Sequence, residues 1–311
     1  MLDVSNSYIQ KVQCTFRGIE PFAFDIVRDD LIDPVISGNK WRKLKYNVEK
    51  AIHNKNEGIL TFGGAFSNHL IAAAKAGFNY GLKTVGIVRG EELHTQSNAI
   101  LKACNDFGMQ LEFISRDAYR RRNEKSFLAD WHTRFPNYWF VPEGGANFYG
   151  AIGCQEIIKA ADQQYDHIYV ASGTGTTATG ILSATIQETR VHAVSVLKGD
   201  FLKEEISKLL WYMLANDEAV NLYMDRLELN TTSHFGGYSK TKPELFGLIR
   251  SFYDQTGIPL EPVYTGKVLH ALKTDYLGGR IHRDDRVLFV HSGGLQGGKT
   301  FAEHLPFLVG R

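Results

Sequence analysis

Lys40 stands in the run SGNKWRKLKYN (residues 37–47), with Arg42, Lys43 and Lys45 close behind it. Pro34 and Gly38 precede it, so Lys40 falls at or near the start of a helix, and Lys43, three residues on, shares its face. Neighbouring cations disfavour an ammonium ion, and removal from water lowers its pKa further, which an imine-forming amine needs. A solvated basic helix face has the same spacing. The lysine alone decides nothing.

A second candidate is SGTGTTATG at 172–180, between the β-rich run HIYVAS and an apolar helical stretch. Glycines let the backbone turn sharply and approach an anion, while N–H groups at a helix start and the hydroxyls of Thr174, Thr176 and Thr177 donate to it. No Lys-Ser/Thr follows the glycines and the dinucleotide spacing is absent, so neither a Walker loop nor a Rossmann fingerprint fits. In GGAFSNHL (63–70), Ser67 and Asn68 occupy natural N-cap positions, and capping alone explains them. Tyr238 in HFGGYSK and Tyr264 in PVYTGK lie in Gly-rich surroundings that can present a phenol to a ligand. His234 and His291 lack metal-ligand spacing and read as structural.

These segments need a scaffold. From residue 58, β-rich runs (GILTFGG, LKTVGIVRG, QLEFIS, NYWFVP) alternate with helical stretches, and a second series begins near Gly150 with AIGCQEIIKAADQQ, HIYVAS, TTATGILSATIQE and VHAVSVL, ending in RVLFVHSGG. Such alternation predicts βαβ units, parallel sheets and a ligand in the cleft between two α/β domains. No linker marks the border. The expected division is residues 1–45 plus 146–311 as a larger discontinuous domain and 46–145 as a smaller one.

The 311 residues are 43% hydrophobic, with 35 basic against 34 acidic side chains. No global field draws this chain to nucleic acid or an anionic membrane. No apolar run approaches the roughly 20 residues of a membrane span, and MLDVSNSYIQ lacks a signal-peptide pattern, so a cytoplasmic protein is expected. Cys14, Cys104 and Cys154 are scattered and read as small buried hydrophobes, with no metal site.

In order and spacing, GNKWRKLKY, GGAFSNHLIAAA, the Gly/Thr cup, PVYTGK and HSGG resemble the 1-aminocyclopropane-1-carboxylate deaminase and D-cysteine desulfhydrase family, from about residue 20 to 298. The resemblance implies fold type II: two open twisted parallel-sheet α/β domains, helices on both faces, with pyridoxal 5'-phosphate in the cleft. It implies that Lys40 carries the cofactor as a Schiff base, that Asn68 bonds the ring's 3′-oxygen and that Thr174, Gly175, Thr176 and Thr177 hold the phosphate. Lys43, Thr265 and Ser292 complete the cofactor site. Ser67, Asn68, His69, Tyr238 and Tyr264 surround a small amino-acid substrate, with Lys40, Ser67, Tyr238 and Tyr264 as the catalytic set. A homodimer is implied as well.

The family splits on two positions. In its cyclopropane deaminases, a glutamate after the motif tyrosine faces the pyridine nitrogen, and a leucine precedes the final Gly-Gly; here those positions are Thr265 and Ser292. A carboxylate keeps the ring nitrogen protonated and the electron sink strong, whereas a hydroxyl only bonds a neutral ring. Expelling a thiolate demands less of the sink than breaking a carbon–carbon bond. D-cysteine desulfhydration is therefore the expected activity, with cyclopropane deamination or another elimination or racemisation of the same fold as alternatives. A non-catalytic cofactor- or nucleotide-binding protein is the alternative of another class.

Overall fold

The computed structural model describes residues 1–16, 20–159 and 164–309, and the chain divides into two compact units, Met1–Asn39 with Cys154–Arg311, and Lys40–Gly153. Ten strands lie along the described residues: β1 (Ile9–Cys14), β2 (Phe22–Val27), β3 (Gly58–Gly64), β4 (Lys83–Arg89), β5 (Met109–Ile114), β6 (Tyr138–Val141), β7 (His167–Ser172), β8 (Arg190–Ser195), β9 (Leu227–Asn230) and β10 (Val287–Val290). The principal helices are α1 (Asn39–His53), α2 (Asn68–Tyr80), α3 (Ala99–Asp106), α4 (Arg116–Arg120), α5 (Lys125–Arg134), α6 (Phe148–Lys159), α7 (Thr176–Ala184), α8 (Phe201–Leu214), α9 (Asp217–Met224), α10 (Pro243–Thr256) and α11 (Thr265–Leu277). Both unit borders fall in helices, in the first turn of α1 and midway along α6. A helix carries no linker composition, hence the missing boundary signal. The tail of the helix read from 151 to 164 includes residues 160–163, which lie outside the described residues.

The first unit holds a six-stranded sheet in the order β1-β2-β10-β7-β8-β9. Its central strands are parallel and read as near-continuous apolar runs, VLFV and HIYVAS, because both faces are covered. Alternate residues face opposite ways. Phe24, Ile26, Tyr169, Ala171 and Phe289 pack with Leu245, Ile249 and Phe252 of α10 and Val268, Leu269 and Leu272 of α11. Val27, Ile168, Val170, Leu288 and Val290 pack with Ile157 of α6, Ile181 of α7, Ile206 and Leu210 of α8 and Val220 of α9. Burying each large side chain contributes about 2 kcal/mol. β1 pairs antiparallel with β2, Val12 opposite Phe24, and its IQKVQC alternation suits an edge strand.

The second unit has a parallel sheet in the order β5-β4-β3-β6. Leu60, Phe62, Val85 and Ile87 meet Tyr119 of α4 and Trp131 of α5 on one face. On the other, α2 lies close to β3: a Cβ on Gly63 would stand 2.5 Å from Leu70. Trp41 of α1 stacks on Tyr80 of α2 at 5.7 Å. The carboxyl ends of β3, β7 and β10 lead into residues 64–68, 173–176 and 291–294, where parallel sheets bind ligands.

Candidate active site

β7 ends at Ser172, and the chain turns through Gly173, Thr174 and Gly175 into α7. Gly175 caps that helix at φ 78° and no side chain caps it, which leaves the first-turn N–H groups facing whatever enters the turn. A Cβ on Gly175 would lie 2.8 Å from Ile206, so the tight turn needs glycine. The Thr174 and Thr176 hydroxyls are 3.1 Å apart, and Thr176 and Thr177 are buried. Asn39 Nδ2 donates to Thr177 Oγ1 at 2.8 Å, which frees the Thr177 hydroxyl proton to point elsewhere. The Asn39 N–H donates to the Ser292 carbonyl at 3.2 Å. Lys40 is the next residue.

Tyr264 adjoins this cup within the same unit, with Tyr238 and Thr265 beside it. The Tyr238 and Tyr264 rings meet edge-to-face with centroids 6.1 Å apart, and Tyr264 stands 3.8 Å from where a Gly173 Cβ would be. Thr265 is fully buried, and its hydroxyl accepts the Glu261 N–H at 3.0 Å and lies 3.1 Å from Glu261 Oε1. Glu261 itself receives the N–H groups of Val263, Tyr264 and Thr265 at 2.7–2.8 Å, so its carboxylate caps α11. Burial holds the Glu261 carboxyl above its ordinary range, against those hydrogen bonds. His291 donates from Nε2 to the Pro259 carbonyl and accepts the Gly293 N–H at Nδ1; His234 accepts the Gly236 N–H. Both histidines hold turns together.

In the other unit, Lys40 lies in the first turn of α1, while Lys43 is buried with its Cβ 2.9 Å from the position of a Gly145 Cβ. Ser67 caps α2, its Oγ accepting from the N–H groups of His69 and Leu70 at 3.2 and 3.3 Å. Asn68 Oδ1 is buried without a hydrogen-bond partner. Thr61 Oγ1 donates to the Val141 carbonyl and lies 2.8 Å from His69 Nε2, so Nε2 carries the His69 proton and Nδ1 is a buried, unpartnered acceptor. Burial, reinforced by the positive charges of Lys40 and Lys43, pushes the His69 pKa down from 6.5 to about 3. As pH falls from 6.5 toward 3, the unfolded chain takes up a proton that the native imidazole refuses, and stability falls. A His69→Gln protein is expected to lose less of its urea midpoint between about pH 7 and about pH 4 than the parent, by the equivalent of a few kcal/mol. An unchanged slope would show an ordinary His69.

The lysine, the hydroxyls and the tyrosines are thus legible as residue types, but Asn39 and Glu261 are additions of the structure. Only Asn39 had a signal, as a polar amide beside the lysine. Three buried side-chain atoms without partners, Asn68 Oδ1, His69 Nδ1 and Ser172 Oγ, sit at the carboxyl ends of β3 and β7.

The profile of a family described as pyridoxal-phosphate dependent enzymes matches residues 26–293. The chain belongs to that family. This pyridoxal-phosphate enzyme is 29% identical to a Pyrococcus horikoshii protein provisionally named a 1-aminocyclopropane-1-carboxylate deaminase, over 91% of this chain and 88% of the relative. It is 29% identical to a D-cysteine desulfhydrase of Serratia proteamaculans, with 86% of each chain covered. A crystallised 1-aminocyclopropane-1-carboxylate deaminase homologue superposes with a TM-score of 0.81 at 25% identity, covering 99% of this chain and 95% of that one. The residues present fit the cofactor. An uncapped helix start lined with threonines suits a phosphate dianion, the partnerless Asn68 amide oxygen suits a ring hydroxyl, and a lysine follows the residue anchored to the cup.

Proposed function

We propose that this pyridoxal-phosphate enzyme is a carbon–sulfur lyase that converts D-cysteine and water to pyruvate, ammonia and hydrogen sulfide. When bound, pyridoxal phosphate supplies an electron sink for negative charge developing at the α-carbon of an amino acid. The chain's own residues do the rest. Thr174, Gly175, Thr176 and Thr177 hold the phosphate, Asn68 holds the ring oxygen, and Lys43 adds positive charge. The Lys40 amine would hold the cofactor and, as a free amine, would take the substrate's α-proton. Ser67 and Asn68 receive the substrate carboxylate with His69 behind them, and the Tyr238–Tyr264 pair gives a proton to the departing sulfur.

The observation that carries this reading is the state of Thr265. Its hydroxyl is engaged by Glu261, whose carboxylate oxygens are engaged in turn by three backbone N–H groups. Thr265 offers no carboxylate to a ring nitrogen, and the Glu261 carboxylate is already engaged. The ring-nitrogen contact is therefore assigned to Ser292 rather than shared with Thr265, and a hydroxyl partner leaves the ring neutral. A weaker sink suits thiolate departure. Ring opening of 1-aminocyclopropane-1-carboxylate is the second reading, favoured by an Arabidopsis thaliana relative, 26% identical, named as bifunctional for both reactions.

The test is a sulfide, pyruvate and 2-oxobutanoate assay of the holoenzyme across D-cysteine, L-cysteine and the cyclopropane amino acid. D-cysteine is expected to give the highest kcat/KM; preference for the cyclopropane substrate would replace the first reading with the second. We also read the working form as a homodimer, for which exposed Trp211, Tyr212 and Leu222 on α8 and α9 offer an apolar surface. Light scattering on the same preparation should give the mass of two chains. A cytoplasmic site accords with three buried thiol cysteines, of which burial pushes the Cys14 and Cys104 thiols up to about 12.

A further inference from the structure

The segment that carries Tyr238 is held in an unfavourable backbone shape. Phe235 and Ser239 lie in the left-handed region at φ 54° and 57°, and Gly236 and Gly237 stand between them at φ 104° and 122°. Such a run persists only where its surroundings over-determine it. Within the segment, His234 Nδ1 accepts the Gly236 N–H at 2.8 Å, the His234 carbonyl accepts the Gly237 N–H at 3.0 Å, and the Gly237 carbonyl accepts the Lys240 N–H at 3.1 Å. A further bond comes from outside. Lys267 Nζ donates to the Gly237 carbonyl at 2.8 Å.

Lys267 is fully buried in the first turn of α11, three residues beyond Tyr264. An ammonium group out of water is costly unless it is bonded, and a methionine of similar length would fill the same space without that cost. Burial pushes the Lys267 pKa down to about 8, with the Glu261 carboxylate acting against the fall. On the other side of Tyr264, Glu261 accepts the Tyr264 N–H at 2.8 Å. The stretch 261–267 thus grips both tyrosines, one through its own backbone and the other through the carbonyl that precedes it. Their rings meet at 6.1 Å as a result.

We propose that Lys267 is a positioning residue: its ammonium, bonded to the Gly237 carbonyl, fixes the strained loop Phe235–Ser239 and thereby sets the Tyr238 hydroxyl against Tyr264. The inference rests on the reading of these two tyrosines as the pair that serves the leaving group. Lys267 acts through Tyr238 and does not itself reach the substrate.

The test uses Lys267→Met, Tyr238→Phe and the double variant, each as holoenzyme. In Lys267→Met the amides of residues 234–240 are expected to exchange hydrogen about tenfold faster or more, in line with the loss of a charged hydrogen bond. Amides of the second unit should keep their protection. With whichever amino acid is turned over fastest, kcat should fall about tenfold with a smaller change in KM, and the same substitution in the Tyr238→Phe background should cause no further loss. An equal fractional loss in both backgrounds, or unchanged exchange at 234–240, would overturn the proposal. If Lys267→Met does not fold, Lys267→Gln, which retains a shorter neutral donor, takes its place under the same two criteria. Exchange is read without substrate, so failure of D-cysteine as a substrate leaves this arm intact.

Discussion

Lys40→Ala, mixed with pyridoxal phosphate, reduced with borohydride and digested, is expected to yield no cofactor-bearing peptide, while the parent carries the label on Lys40. Lyase turnover should fall on the order of a thousandfold or more, since the variant loses both the anchoring amine and the proton acceptor. Two structural facts separate Lys40 from its neighbour Lys43. Asn39, immediately before Lys40, is bonded to Thr177 of the cup and to the Ser292 carbonyl, so the backbone at Lys40 is registered to the residues that would hold the cofactor's phosphate and ring nitrogen. Lys43 is buried against Gly145. Label on Lys43, or turnover undiminished in Lys40→Ala, would sink the assignment.

The second large effect is expected from a residue with no chemistry of its own. Gly38 has φ 63°, and a Cβ placed on it would lie 2.0 Å from the Ser292 oxygen and 2.6 Å from the Gly293 nitrogen, both backbone atoms that cannot swing aside. Gly38→Ala should lower unfolding stability by about 3 kcal/mol or more, combining left-handed strain with overpacking. Cofactor retention should fall with it, because Asn39 and its bonds to Thr177 and Ser292 are displaced together. Gly81 supplies the control: at φ 68° it has nothing within 4 Å of a Cβ. Gly81→Ala should cost only about 1–2 kcal/mol and leave cofactor retention unchanged. Equal losses of urea midpoint in the two variants would show that backbone conformation, not the approach to Ser292, governs position 38.

The contrast between these glycines also explains what could be read from the sequence. β3, β4, β7 and β10 announce themselves because parallel strands covered on both faces are apolar along most of their length, as in GILTFGG and VLFV. β9, with LELN, is too short and mixed to stand out, and β1 reveals its place only through pairing with β2. Lys40 and the Gly/Thr cup stand out because the imine formation and phosphate binding proposed for them demand particular residue types. Glu261 and Lys267 do not, because their roles depend on hydrogen bonds that form after folding: the Glu261 carboxylate receives three backbone N–H groups, and Lys267 reaches a carbonyl thirty positions away. A lysine in PVYTGK looks like any surface cation until its burial is known.

The β2–β10 pairing, with Asp25 opposite Leu288, sets an order on biosynthesis. The unit Lys40–Gly153 is one contiguous stretch and is complete as soon as it leaves the ribosome, but β2 must wait for β10, and Asn39 must wait for Thr177 and Ser292. The amine is therefore among the first groups translated and among the last to be anchored. A nascent or truncated chain that stops before Val287 carries Lys40 without the strand and serine that register it. A chain truncated before Val287 is therefore expected to retain less pyridoxal phosphate than one that includes β10 and Ser292, read as cofactor absorbance per mole of protein.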